Sequence, residues 1–127
     1  MLPTVTSAIE QVRSDFDNCN LTVREDAEGG AYVTLEGVPL GSPYEQSDTW
    51  VGFRIVSQYP YADTYPHYVR GDLSRLDSRP LGDGTGSAEW EGRPAVQLSR
   101  RSNRLDPASQ TALLKLQKVL AWLLAHP

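Results

Sequence analysis

Thiol and imidazole groups are scarce in this chain: among 127 residues there is one cysteine, Cys19, and two histidines, His67 and His126. A lone cysteine cannot form an intramolecular disulfide, which fits a reducing compartment and makes the cytoplasm the expected location. None of these residues stands at zinc-ligand spacing from another, so no metal site is expected and no cofactor is implied. Long apolar runs are missing as well. The longest, Val119 to Ala125, is far too short to span a bilayer, and Met1-Leu2-Pro3-Thr4 shows no basic segment leading into an apolar one, so neither insertion nor export is expected. Positive charge is in deficit, with 12 Lys and Arg against 16 Asp and Glu and a formal net charge of −4. Such a surface repels nucleic acid and anionic membrane unless a local patch reverses the sign.

What is present fits one domain spanning residues 1–127, since the length supports a single sizeable core and no linker interrupts it. Val5, Ile9, Val12 and Phe16 recur at helical spacing and predict a helix from about Thr4 to Asp17, with Ser7 and Glu10 at capping-box spacing. Asn18-Cys19-Asn20 ends it. Leu21 to Arg24 alternates as a half-buried strand does, Asp26 to Gly30 reads as a hairpin turn, and Ala31 to Leu35 returns with Ala31, Val33 and Leu35 on one face. After a loop from Gly37 to Ser47 comes the strongest strand signal, Thr49 to Val56, with Val51, Phe53 and Ile55 on one face and Trp50, Gly52, Arg54 and Val56 on the other.

Tyr59-Pro60-Tyr61-Ala62-Asp63-Thr64-Tyr65-Pro66 excludes helix and sheet-centre pairing, because proline lacks an N–H and biases its predecessor toward extended backbone. His67 to Arg70 can form a fourth strand. Asp72 to Gly92 reads as a long glycine-containing loop anchored to the body by Trp90, an aromatic too costly to leave in water. Asp106 and Pro107 have the chemistry of an N-cap and first helical residue, and Ala112, Leu113, Leu116, Val119, Leu120 and Leu123 make the apolar stripe of a closing helix, with Lys115, Gln117 and Lys118 elsewhere on the wheel. The expected class is therefore α+β: an N-terminal helix, a four-stranded antiparallel meander, and a C-terminal helix packed on it.

No complete set of catalytic groups emerges. Gly82-Asp83-Gly84-Thr85-Gly86 lacks the strand and helix that frame a phosphate cradle, and Ser87 has no nucleophile-elbow motif. Cys19, at a helix end behind Asp15 and Asp17, should have a raised pKa and act as a structural or surface thiol. Asp15, Asp17, Glu25, Asp26 and Glu28 read as a solvated acidic end. Tyr59, Tyr61 and Tyr65 are suited either to stacking on a ligand or to packing their own loop. Arg93, Arg100, Arg101 and Arg104, with Asn103, form the main polar cluster; the arginines either tie the loop to carboxylates such as Asp106 or dock an acidic partner, the first being favoured.

The order of elements resembles the ubiquitin-conjugating (UBC) fold. Tyr59-Pro60, followed by Pro66, is similar to the Tyr-Pro turn after that family's third strand, Gly92-Arg93-Pro94-Ala95-Val96 is similar to its Gly-x-x-Cys-Leu active-site segment, and the stretch from Asp106 through Trp122-Leu123-Leu124 is similar to the helix that follows. The resemblance departs at the chemistry: Ala95 stands where the thioester-forming cysteine would be, and no His-Pro-Asn triplet precedes it. It thus implies a cysteine-less variant or RWD-like domain, of the kind encoded with bacterial ubiquitin-like modification genes. It implies no catalytic residues and a partner-binding set of Tyr59, Pro60, Arg100, Arg101 and Asn103. The expected partner is a ubiquitin-like protein or a component of its conjugation machinery. Two alternatives stay open: an enzyme using polar groups around Arg100, Arg101 and Asn103, and an adaptor or chaperone-like docking domain unrelated to ubiquitin.

Overall fold

The computed structural model describes residues 1–102, 106 and 111–125. Helix α1 (Pro3–Asp15) opens with proline at its first turn and Leu2 as its cap, and Val5, Ala8, Ile9 and Val12 are its buried face. Ser7 and Glu10 fall inside this helix rather than at its start, so they form no capping box. Pro3 presets the helical φ upstream of them, and the Leu2 carbonyl accepts the N–H groups of Val5 and Thr6.

Strands β1 (Asn20–Glu25), β2 (Ala31–Pro39), β3 (Asp48–Ile55) and β4 (His67–Arg70) form the antiparallel meander expected from the alternation. The β1–β2 turn is built by Asp26, whose Oδ1 accepts the N–H groups of Glu28 and Gly30 at 2.8 Å each. Gly30 is required there, since a Cβ would stand 2.3 Å from the Ile55 carbonyl oxygen. Asp26 is also no part of a solvated acidic end. Its side chain is 6% exposed and lies 2.9 Å from the Arg54 guanidinium, which holds its carboxyl below the usual carboxylate range.

The sheet has six strands, not four. Strands β5 (Thr85–Trp90) and β6 (Arg93–Leu98) form a hairpin inside the stretch expected to be loop and active-site segment, and the strand order is β1-β2-β3-β4-β6-β5. Only the tip, Glu91-Gly92, is a turn, with both residues at positive φ (48° and 78°). Thr85-Gly86-Ser87-Ala88-Glu89-Trp90 hides its strand character because its outward positions are small or polar and it gains backbone partners only from β6.

One face of the sheet is covered by α1 and by helix α2 (Ala112–Ala125); Phe53, Ile55, Leu35, Leu98, Ile9, Leu116 and Leu123 are buried together between them. Each such side chain contributes roughly 1.5–3 kcal/mol of transfer free energy before entropy is counted. The Asp106-Pro107 helix start falls partly outside the described residues, and α2 is described from Ala112.

The opposite face is not left to solvent. Trp90, on the outermost strand, donates its indole N–H to Thr34 Oγ1 on β2 at 2.9 Å. With strands about 4.8 Å apart, four steps across a flat sheet would separate those strands by roughly 19 Å, so the sheet curls until its β5–β6 end lies over its β1–β2 end. The tip is fastened there by Arg93–Glu36 at 2.6 Å and Arg24–Glu91 at 3.1 Å. Trp50, Trp90 and Ala95 make a second, smaller core within this curl, with Tyr32 and Tyr68 packed against it. Trp90 thus anchors its segment to the body as expected. Gly52 makes room for it, because a Cβ at that position would lie 2.3 Å from the indole nitrogen.

Candidate functional site

The Tyr-Pro loop between β3 and β4 is held by a charge pair that the helical wheel hid. Lys115 belongs to α2, and its Nζ lies 3.0 Å from both carboxylate oxygens of Asp63 and 2.8 Å from Ser102 Oγ. Ser102 closes the triangle by donating its backbone N–H and its hydroxyl to Asp63 at 2.7 and 3.0 Å. The lysine side chain is only 5% exposed, so it does not sit off the apolar stripe as its charge suggests. Its position is three residues after Ala112 and four before Val119, both buried, and that spacing is the signal for an inward cation. Burial of Asp63 opposes its ionisation, yet the Ser102 N–H and Lys115 outweigh it and hold the carboxyl below its usual value.

Tyr59 packs partly against the main core, and its hydroxyl accepts the Ala112 N–H at 3.1 Å, one of the orphan donors at the start of α2. Pro60 continues the loop beside it, and Tyr61 stands out at 77% exposure. Of the three tyrosines, Tyr59 is therefore a packing residue and Tyr61 a surface one.

Arg100 and Arg101 diverge. The Arg100 guanidinium lies 5.0 Å from the centre of the Trp122 ring on α2, and that of Arg101 lies 4.8 Å from the centre of the Tyr65 ring. Both residues are exposed. Every other described arginine stands within salt-bridge distance of a carboxylate. The expectation that the basic cluster ties itself to carboxylates thus holds for Arg93, which pairs with Glu36 and also lies over the Trp50 ring, but not for Arg100 and Arg101. Arg104 and Asn103 lie outside the described residues.

Tyr65 also lines a cleft of about 320 Å³ on the curled face, together with Tyr32, Tyr68, Trp90, Val56, Pro66, Arg54 and Asp63. Tyr68 stacks on Trp90 with ring centres 4.9 Å apart, and Tyr32 meets the same indole at 5.8 Å in a tilted arrangement. Sequence reasoning found the aromatics of the loop but not this cleft, since two of its walls belong to strands brought together only by the curl.

Ala95 lies in the middle of β6, 4% exposed, between Trp50 and Trp90. Its neighbour across β5 is Ala88 and across β4 is Arg70. Cys19, the one thiol, is partly buried and directs Sγ to the Gly37 carbonyl at 3.5 Å. Burial first and Asp17 second raise its pKa, so the acidic neighbours expected to do so are the lesser cause. His67 is fully buried on the helix side of the sheet, beside Phe53 at 5.4 Å, and neither ring nitrogen has a hydrogen-bond partner. His67 is thus enclosed in the core, Tyr59 is bonded to the start of α2, and the exposed Arg100 and Arg101 lie over two different rings, Trp122 and Tyr65. Of the glycine stretch 82–86, placed in a long loop by the sequence, Thr85 and Gly86 begin β5 and the Gly84 carbonyl accepts the Ser99 N–H. Among the described residues, no group of three or more His, Cys, Asp or Glu is placed to hold a metal ion, and no helix is long and apolar enough to cross a membrane.

Comparison of the chain with protein-family models, with characterised proteins and with solved structures found no match.

Proposed function

We propose that this chain is a non-catalytic binding domain of the UBC-like type, which engages a ubiquitin-like protein or a component of its conjugation machinery. The observation that carries the binding part is the state of Arg100 and Arg101: exposed, placed over aromatic rings, and without the described carboxylate that each other described arginine has. Guanidinium groups on aromatic platforms keep their edge N–H donors available while the ring fixes their direction, which lowers the entropy lost on binding a partner. Ala95 supports the non-catalytic part, because a methyl group enclosed by two indoles offers no nucleophile. The UBC-like part rests on the order of α1, the meander and the Tyr-Pro loop after β3; the added β5–β6 hairpin departs from the four-stranded plan.

The test is to mix the purified chain with a ubiquitin-like protein and its activating enzyme from neighbouring genes, with ATP. Non-covalent binding that weakens in Arg100→Ala/Arg101→Ala, with no reductant-sensitive adduct, is the expected result. A stable thioester would overturn the non-catalytic reading, and binding indifferent to both arginines would confine them to structure.

A further inference from the structure

We infer that the cleft beside Tyr65 binds an acidic peptide segment, with an apolar side chain between the aromatic walls and a neighbouring carboxylate on Arg101. This deepens the binding-domain reading and rests on it. Charge balance at a partly apolar site selects this ligand. Tyr32, Tyr65, Tyr68 and Trp90 give the cleft walls that favour an aromatic or branched aliphatic side chain. Two charged residues line it, and each is already paired from within: Arg54 with Asp26 at 2.9 Å and Glu28 at 3.9 Å, and Asp63 with Lys115 and Ser102. Arg101 stands on the Tyr65 ring with no described carboxylate within salt-bridge distance, so it is the one described cation at the cleft left without a counter-charge.

One guanidinium on an aromatic platform matches one carboxylate, bidentately, better than it matches a chain of phosphates. A nucleic-acid strand needs a row of free cations along its backbone, whereas the chain carries −4 overall and pairs its other described arginines. The chemistry therefore selects a short extended protein segment bearing Glu or Asp beside a large apolar residue.

Fluorescence anisotropy with three labelled hexapeptides tests this directly: alternating glutamate and leucine, alternating glutamate and serine, and alternating lysine and leucine, with a single-stranded oligodeoxynucleotide as a fourth probe. The glutamate–leucine peptide should bind best, and the other two peptides about tenfold more weakly, since each lacks one of the two contacts. Arg101→Ala should cost about tenfold in affinity for that peptide, Arg101→Lys less, and Arg79→Ala nothing, with thermal melts confirming that all three variants fold. Equal binding by Arg101→Ala, equal binding of the lysine peptide, tighter binding of the oligonucleotide, or no peptide binding at all would each overturn the inference. Should the glutamate–leucine peptide fail while a ubiquitin-like protein still binds the chain, only the cleft assignment falls. Should the peptide bind and no ubiquitin-like protein do so, the broader reading falls and the cleft remains.

Discussion

His67 makes the stability of this fold depend on pH in a window where little else titrates. The ring is 0% exposed, both nitrogens lack partners, and burial, followed by the nearby Lys115 charge, lowers its pKa from 6.5 to about 3 despite the opposing pull of Asp63. In the unfolded chain the imidazole takes up a proton below about pH 6.5, whereas in the folded chain it does not until about pH 3. The unfolded state thus binds more protons throughout that interval, and stability falls as pH falls, by about 1.4 kcal/mol per pH unit once well below 6.5. Between pH 7 and pH 5 the loss should be about 2 kcal/mol.

Urea unfolding followed by tryptophan fluorescence at pH 7, 6 and 5 measures this. Replacing His67 by Phe removes the titrating group and the unpaired nitrogens together, so His67→Phe should keep or exceed wild-type stability at pH 7 and lose less than about 0.5 kcal/mol on going to pH 5. A His126→Gln background removes the other imidazole from both arms. The carboxylates with lowered pKa, Asp26, Asp63, Asp72 and Asp77, do not enter this window. Their stabilisation is present above their ordinary 3.8 and is lost only as pH falls through their lower folded values. If His67→Phe shows the same loss between pH 7 and pH 5 as the wild type, the imidazole is not the buried neutral group described.

Further perturbations probe the anchors. Lys115→Met should destabilise by about 3–5 kcal/mol because it leaves the Asp63 carboxylate without its counter-charge, and adding Asp63→Leu should recover part of that loss in a double-mutant cycle by urea melts. Additive losses would show that the pair does not interact. Trp90→Ala should cost about 3–5 kcal/mol, and Gly52→Val, which places a side chain where the indole lies, should expel Trp90 and shift the emission to longer wavelength. An unshifted spectrum in Gly52→Val would contradict the curl. Arg24→Ala should change stability by less than about 1 kcal/mol by the same melts, since its pairing with Glu91 is exposed to solvent.

The legibility of this fold tracks the reach of each signal. Local periodicity was enough for α1, the meander and the inward face of α2, because Val5, Ile9 and Val12, or Val51, Phe53 and Ile55, declare their faces without reference to distant residues. It failed for β5, where Gly86, Ser87 and Ala88 carry no β-propensity and only pairing with β6 makes the strand. It failed again for Lys115, whose charge argued for the surface although its spacing argued for the core. At the site, Arg100 and Arg101 stood out by composition, but what distinguishes them is the missing carboxylate partner, a tertiary fact.

The curl also changes what Ala95 means. In a free active-site segment, an alanine in place of cysteine would be a single lost atom, restorable by substitution. Here the residue sits in a paired strand, with Arg70 and Ala88 beside it and indoles enclosing its side chain. An Ala95→Cys thiol would therefore enter a desolvated space that raises its pKa and bars an incoming protein tail. Loss of catalysis on the proposed reading is then a property of the β5–β6 hairpin rather than of one side chain. On the same proposed reading, recognition falls to the rim where Arg101 stands on Tyr65, beside the cleft wall to which the hairpin delivers Trp90.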